Sequence, residues 1–425
     1  MASADTTTNR SESEQRPTAP TISLPKGGGA IRGIGEKFAA NPVTGTGSMT
    51  VPIATSPGRS GFGPQLSLSY DSGSGNGPFG FGWNLSLPSI IRKTDKGLPQ
   101  YLDAVESDVF ILSGAEDLVP VLQPDGSRHK DDVSAPGFTI HRYRPRVEGL
   151  FARIERWTER ATGEIHWRSI TRENVTTLYG RDNNSRVFDP ADPVPAHPTR
   201  VFRWLICTSY DDKGNAVVYD YAAEDAAGVN RSQASERNRA RTANRYLKRV
   251  RYGNRVSRLV QADLSKATWL FELVFDYEEG HYEDLPLGPG APDAQYRFVR
   301  ASWKADGTWA FRPDPFSLHR AGFEVRSYRR CRRVLMFHRF AELNQTRLAE
   351  LADEPCLVRA IEFDYRDIDY SKPTTIEGEL GHQGSTRFAS FIQSITQSGF
   401  VRDDSKAVVV RGGVKYITYT LSGML

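Results

Sequence analysis

From Val201 onward one pattern returns four times: "VFRWLICTSYDDKGNAVVYDYAAED", "RYLKRVRYGNR", "WLFELVFDYEEG" and "CLVRAIEFDYRDI". Each unit joins an apolar, strand-like stretch to a tyrosine beside an acidic or glycine-bearing turn. Tyrosine suits that place because its ring packs on a sheet while its hydroxyl reaches water or the turn's backbone. Asp212-Lys213-Gly214-Asn215 is the clearest turn, with Gly214 and Asn215 able to take positive φ. The irregular spacing makes these degenerate repeats rather than a strict solenoid. They specify a sheet that grows hairpin by hairpin.

The earlier part of the chain follows the same logic. "SMTVPIAT" (48–55) and "QLSLSYD" (65–71) alternate apolar with polar around a turn-rich "SPGRSGFGP". "DVFILSGAEDLVPVL" (108–122) places two apolar runs about Ser113-Gly114-Ala115-Glu116. "LFARIERWT" (150–158) and "EIHWRSI" (164–170) form another pair, with Phe151, Arg153 and Glu155 on one face and Ala152, Ile154 and Arg156 on the other. Helix signals are scarce. The stretch from Asn230 to Val250 has too few apolar positions for a stripe, and its first part reads as an exposed insertion. "STRFASFIQSITQ" reads as strand, because Phe391, Ile392, Ile395 and Thr396 are poor helix formers. The expected fold class is mainly β: many sequential antiparallel hairpins and few short helices.

"YDSGSGNGPFGFGWNLSLPSIIRK" (70–93) poses a choice. Backbone N–H groups of a glycine-rich loop cradle phosphate when a helix N-terminus stands behind them. Here Trp83, Leu85, Leu87 and the Ile90-Ile91 pair follow with a period near two, and Pro88 and the isoleucines disfavour a helix. No Gly-Lys-Ser/Thr follows the glycines. The stretch is therefore read as a turn that lets two strands meet closely, with Trp83 anchoring the strand that leaves it.

At 425 residues the chain has ample apolar surface for a large core. Its 55 Lys+Arg against 51 Asp+Glu imply no polyanion partner by net charge. The first thirty residues lack an apolar core of the kind a secretory signal needs and read as a disordered leader, 1–30, ahead of one β domain over 31–425 with a potential division near 181–200. No apolar run reaches the length of a spanning helix, about eighteen residues.

Chemistry finds little footing. Cys207, Cys331 and Cys356 are too few and too far apart for a disulfide framework or a four-thiolate zinc site. His129, His141 and His166 lie on different strands or loops, and His338 sits in an apolar run, so none has metal-ligand spacing. Asp367-Ile368-Asp369 resembles half of a calcium loop without its glycine and distal glutamate. Glu377-Gly378-Glu379 has the spacing of an ADP-ribosyltransferase pair, but Ser385-Thr386-Arg387 follows it where a partner motif would have to precede. No Gly-x-Ser-x-Gly elbow is present. No catalytic, cofactor-binding or metal residue is assigned, and no cofactor is expected. The basic runs "SERNRARTANRYLKRVRYGNR" and "YRRCRRVLMFHRF" are what a nucleic-acid module would use; neighbouring acidic strands such as "FELVFDYEEGHYED" favour cross-strand charge pairing instead.

Five blocks, "SLPKGGGAIRGIGEKFAANPVTGTGSMTVPI", "GFGPQLSLSYDSGSGNGPFGFGWNLSLPSIIRKTDKGLPQY", "DVFILSGAEDLVPVL", "TANRYLKRVRYGN" and "GFEVRSYRRCRRVLMFHRF", together resemble the SpvB family across nearly the whole chain. That resemblance implies the region at the head of B components of bacterial ABC (Tc) insecticidal toxin complexes, and of a virulence-plasmid protein that joins it to a C-terminal actin ADP-ribosyltransferase. In such complexes B and C components build a hollow Rhs/YD-like β-shell around a toxic cargo, and a propeller of B docks on the A-type translocation pore. The resemblance thus implies a non-enzymatic assembly and encapsulation module. Its partners would be a C-type subunit and, through downstream regions, an A-type pore subunit. Export would follow synthesis in the bacterial cytoplasm and need no signal peptide. No propeller repeats or transferase segment follow Leu425, so the expectation is a domain of a longer subunit or a short member. The alternatives are the delivery region of an ADP-ribosylating toxin without its catalytic domain, or an independent glycan- or nucleic-acid-binding β module.

Overall fold

The computed structural model describes residues 37–40, 45–113, 117–147, 149, 151–285, 298–340, 354–369, 388–406 and 408–424. Among these residues there is no α-helix; four short 3-10 turns interrupt a chain of strands and turns. The 1–30 leader, the turn at Gly114–Glu116 and the Glu377–Glu379 pair lie outside the described residues.

Twenty strands share one sheet. Eight of them close on themselves. Ser89–Arg92, Phe110–Leu112, Asp117–Pro120, Phe138–Pro145, Arg153–Glu159, Ile165–Ile170, Thr176–Tyr179 and Val201–Tyr210 each pair antiparallel with the next. The last returns to the first through Arg203–Ile91 and Trp204–Ile90. Closure removes the exposed edges that a free sheet would offer to other chains. The barrel is filled. Phe110, Tyr143, Trp167 and Trp204 meet inside it with ring centroids 4.9–6.1 Å apart. Such a barrel has an interior just wide enough for side chains.

Val201–Tyr210 belongs to two structures at once. Its first half closes the barrel, and Thr208–Tyr210 pairs with Ala216–Ala223. From there the sheet continues through Arg245–Asn254, Trp269–Asp276, Arg333–His338, Cys356–Asp369, Phe388–Arg402 and Val414–Met424. Phe298–Ala301 and then Tyr282–Leu285 finish it. The middle strands are buried on both faces. Leu273, Phe275, Val334, Met336, Ile361 and Phe363 point into the main core, and Val274, Leu335, Phe337, Leu357 and Ala360 into a second one. "WLFELVFD" therefore reads as a continuous apolar run rather than an alternation, as a strand covered on both sides does.

Four tyrosines of the repeats reach backbone carbonyls. Tyr221, Tyr252, Tyr277 and Tyr365 donate to the carbonyls of Ile206, Ser56, Leu247 and Cys331 at 2.7–3.1 Å. Each hydroxyl ties its strand to a neighbouring segment, and burial of these phenols raises their pKa. At the Asp211–Asn215 turn only Gly214 takes positive φ, at 81°. Phe151 precedes its strand and is exposed, whereas Ile154 and Arg156 are buried as one face and Glu155 is buried on the other. The insertion is exposed over Arg231–Ser235 but pinned at Glu236, which is buried against Arg326 and accepts from the Tyr328 hydroxyl at 2.5 Å.

The glycine-rich stretch is a turn. Asn76–Gly77 and Gly80–Phe81 pair about Pro78-Phe79, and Trp83–Leu85 follows as strand, so no helix dipole stands behind the glycines. Phe79 enters the core edge-on to Phe363, 5.6 Å away. Gly80 and Gly82 both have φ of 82°. A Cβ on Gly80 would lie 2.7 Å from the Ser390 carbonyl oxygen, and one on Gly82 would lie 2.4 Å from the Tyr70 ring. Gly75 faces open space. Gly82→Ala is expected to cost about 1–3 kcal/mol, since both conformation and space oppose it, and Gly75→Ala to stay within about 0.5 kcal/mol. Urea melts of the two variants check this; matching midpoints would mean that the turn adapts freely.

Candidate functional site

Four histidines and the three cysteines are held in their uncharged forms by their surroundings. His166 is pushed down to about 3, first by burial and then by the Arg181 and Arg186 charges. His141, His281 and His338 are each pushed down to about 4, in every case mainly by burial. They are neutral at neutral pH, His281 buried and the other three half-buried. Cys207 is pushed up to about 11 by burial, and Cys331 and Cys356 are raised by the same cause. None supplies the thiolate that reactivity needs. Asp367 is bound by Arg330 and accepts from the Ser390 hydroxyl at 3.1 Å. Among the described residues, no three His, Cys, Asp or Glu side chains gather as a metal site would require.

The depressed histidines make stability depend on pH. The unfolded chain binds protons near pH 6.5 that the native chain refuses, so their contribution is full above about pH 6.5 and is lost as pH falls toward the folded values. Between pH 7 and pH 5, His166 alone is expected to account for a loss of about 2 kcal/mol. His166→Gln should therefore lose about that much less over the same interval, as read from urea melts at the two pH values. Parallel pH profiles for parent and variant would refute it.

What the sequence left unassigned is a set of buried arginine–carboxylate clamps. Arg92 donates to Asp103 and Asp108, each at 2.7 Å, from inside the barrel mouth. Arg312 donates to Asp314 at 2.9 Å, to the Gly77 carbonyl at 2.9 Å and to Asn76 Oδ1 at 2.8 Å. Asp314 in turn accepts from the Ser390 backbone N–H at 2.9 Å, so one cluster ties the glycine hairpin to the strand Phe388–Arg402. Arg329 is paired with Glu224, both side chains at 0% exposure. The only sequence signal for these clamps was arginine inside or beside apolar strands, as in "PSIIRK".

The same kind of pairing takes up every arginine of one basic run and four of the eight cations of the other. Arg329, Arg330, Arg332, Arg333 and Arg339 of "YRRCRRVLMFHRF" each meet a carboxylate: Glu224, Asp367, Asp364, Glu362 and Glu272. In the other run, Arg239, Lys248, Arg249 and Arg251 meet Glu324, Glu279, Glu272 and Asp220. These cations join strands and loops to one another rather than forming an unneutralised stripe.

Residues 41–340 match the family described as "Salmonella virulence plasmid 65kDa B protein". The chain belongs to the SpvB family. It is 37% identical over 357 residues to the mono(ADP-ribosyl)transferase SpvB of Salmonella choleraesuis (strain SC-B67), a match covering 81% of this chain and 54% of that protein. The SpvB of Salmonella dublin is 36% identical over 356 residues, covering 80% and 53%. The chain thus spans about half the length of the curated relatives it matches. Among solved structures, the N-terminal domain of effector protein SpvB from Salmonella typhimurium strain LT2 superposes with a TM-score of 0.64 at 32% identity, over 82% of this chain and 98% of that one. TcdB2-TccC3 gives 0.69 at 30% identity, over 92% of this chain and 17% of that one. The Photorhabdus luminescens Tc holotoxin pore, carrying the TccC3 D651A mutation, gives 0.67 at 30%, over 91% and 16%. The matched region is the N-terminal domain of SpvB, in keeping with a non-catalytic part of a toxin. No helix among the described residues is long and apolar enough to cross a membrane.

Proposed function

We propose that this SpvB-family chain is a non-enzymatic wall segment of a secreted bacterial toxin complex, helping to build a shell that encloses and delivers a toxic cargo. The observation that carries this is the match to TcdB2-TccC3, in which 92% of this chain corresponds to 17% of a much larger one. Such a proportion suits one section of a continuous wall. A wall must resist deformation, and the chain is built to do so, with a filled barrel, central strands buried on both faces, and arginine clamps that lock outer hairpins to the sheet. The partners would be a C-type subunit and an A-type pore subunit, met outside the cell that makes them.

The test uses the full product of the native reading frame containing this chain, co-expressed with its C-type subunit. Co-elution on size exclusion, together with protease resistance of the C-type subunit's toxic region, is expected. Equal protease sensitivity of that region with and without the chain would overturn the reading. A second reading, the delivery region of an ADP-ribosylating toxin, draws on the curated relatives, which are transferases of which this chain matches about half. Under both readings the purified chain should transfer no label from NAD to actin. Labelling that is lost on Glu379→Ala would establish an enzyme.

A further inference from the structure

Two adjoining cavities lie between the glycine-rich hairpin with its following strand and the outer side of the sheet. The larger has a volume of about 620 Å³ and the smaller about 310 Å³. Pro78, Asn84, Arg203 and Arg245 line both, which places the two guanidinium groups at the partition. Neither lining contains an aspartate or a glutamate, although the chain carries 51 acidic residues against 55 basic ones. By contrast, the buried arginines Arg92, Arg312, Arg326 and Arg329 each have a carboxylate partner.

Arg203 has no such partner. Among the described residues no hydrogen bond or ion pair engages its side chain, and its one electrostatic neighbour is the Tyr221 hydroxyl. Arg203 is exposed, and the protein around it lowers its pKa. Arg245 is spent on backbone carbonyls of Asn183, Thr242, Ala243 and Asn244 and lies over the Phe188 ring at 5.0 Å. Burial pushes it down to about 10. Arg203 and Arg245 line both cavities and no carboxylate does, an arrangement that favours an anion there.

Leu85, Leu87, Leu205 and Leu247, with the rings of Phe79 and Tyr277, give the larger wall an apolar part beside the polar groups of Asn84, Ser86, Ser89 and Ser113. Its volume falls within the range of small-molecule sites, roughly 300–1,000 Å³. A single unpaired guanidinium matches one carboxylate in a two-pronged hydrogen bond, and the leucines match an apolar body.

We infer that the larger cavity is a binding site for a small amphipathic carboxylate, its head on Arg203 and its body against Leu85, Leu87, Leu205 and Leu247. The site is independent of the shell reading, since it needs no partner subunit. Titration calorimetry of the purified chain with decanoate is expected to show saturable binding of one molecule per chain. Decanamide, the neutral counterpart, should bind at least tenfold more weakly, and acetate or inorganic phosphate should not saturate. Arg203→Met should weaken decanoate at least tenfold while leaving the melting temperature equal to or above that of the parent, because it removes an unpaired charge; a structural arginine would give the opposite shift in melting. Leu87→Trp fills the apolar part without touching Arg203 and should also block decanoate. Undiminished binding by Arg203→Met, equal binding of decanamide, or no saturable binding to the parent would each overturn the assignment.

Discussion

Arg92→Met is expected to lower the free energy of unfolding by about 3–5 kcal/mol, the usual consequence of removing one member of a buried ion pair. The side chain is 0% exposed and joins two charges that are themselves largely shielded, Asp103 and Asp108 at 18% and 6%. Its Nε donates to the Val201 carbonyl at 2.7 Å, which bonds the first strand of the barrel to its last. The guanidinium also lies 4.7 Å from the Tyr101 ring centroid, 5.3 Å from Phe110 and 5.2 Å from Trp204. Methionine restores much of the volume but none of the donors, leaving the Val201 carbonyl and two carboxylates without their cation. Arg92→Lys should recover little, because a point charge cannot serve three acceptors in one plane. The comparison is Arg172→Met: Arg172 pairs with Glu173 in the open, at 76% and 64% exposure, and its loss should stay within about 0.5 kcal/mol. Denaturant melts of the three variants decide the matter; an Arg92→Met effect below about 1 kcal/mol would show that the barrel closes without its clamp.

Trp83→Ala should cost a similar amount, about 3–5 kcal/mol, and Ser74→Ala less than about 0.5 kcal/mol. Trp83 is 8% exposed, belongs to the main core, and has its ring 5.3 Å from that of Tyr70 on the paired strand. Truncation would open a cavity under the N-terminal sheet and leave Tyr70 without the ring that holds it beside Gly82. Ser74 lies in the turn, where its backbone N–H donates to the Asp71 carbonyl at 2.9 Å whatever its side chain. Equal midpoints for the two variants would mean that the N-terminal sheet is not part of the cooperative core.

The arginine clamps show why a site can escape a reading made along the chain. In "SIIRK", Arg92 looks like the polar end of a strand, and its partners Asp103 and Asp108 look like residues of a surface loop. Nothing local says that the loop folds back over the barrel mouth. The carboxylates that neutralise "YRRCRRVLMFHRF" are likewise scattered from Glu224 to Asp367. Acidic neighbours were visible in the sequence, but which one meets which arginine was not. Arg203 is the reverse case: an ordinary arginine among strand residues, marked out only by the absence of acids from the cavities it lines.

Local chemistry determined the strands and their order. Alternation, the positive φ of Gly214 and the glycines before Trp83 act over a few residues, and hairpin pairing joins segments that the chain already holds together. Closure and burial on the second face were decided elsewhere. Ser89–Arg92 pairs with Val201–Tyr210, and Phe298–Ala301 with Val414–Met424, each across more than a hundred residues. An edge strand carries the same unpaired N–H and C=O groups whichever partner arrives, so its sequence does not name that partner. Only the packing of Phe110, Tyr143, Trp167 and Trp204 into one interior, and of Val274, Leu335 and Phe337 into another, makes one closure more favourable than the rest.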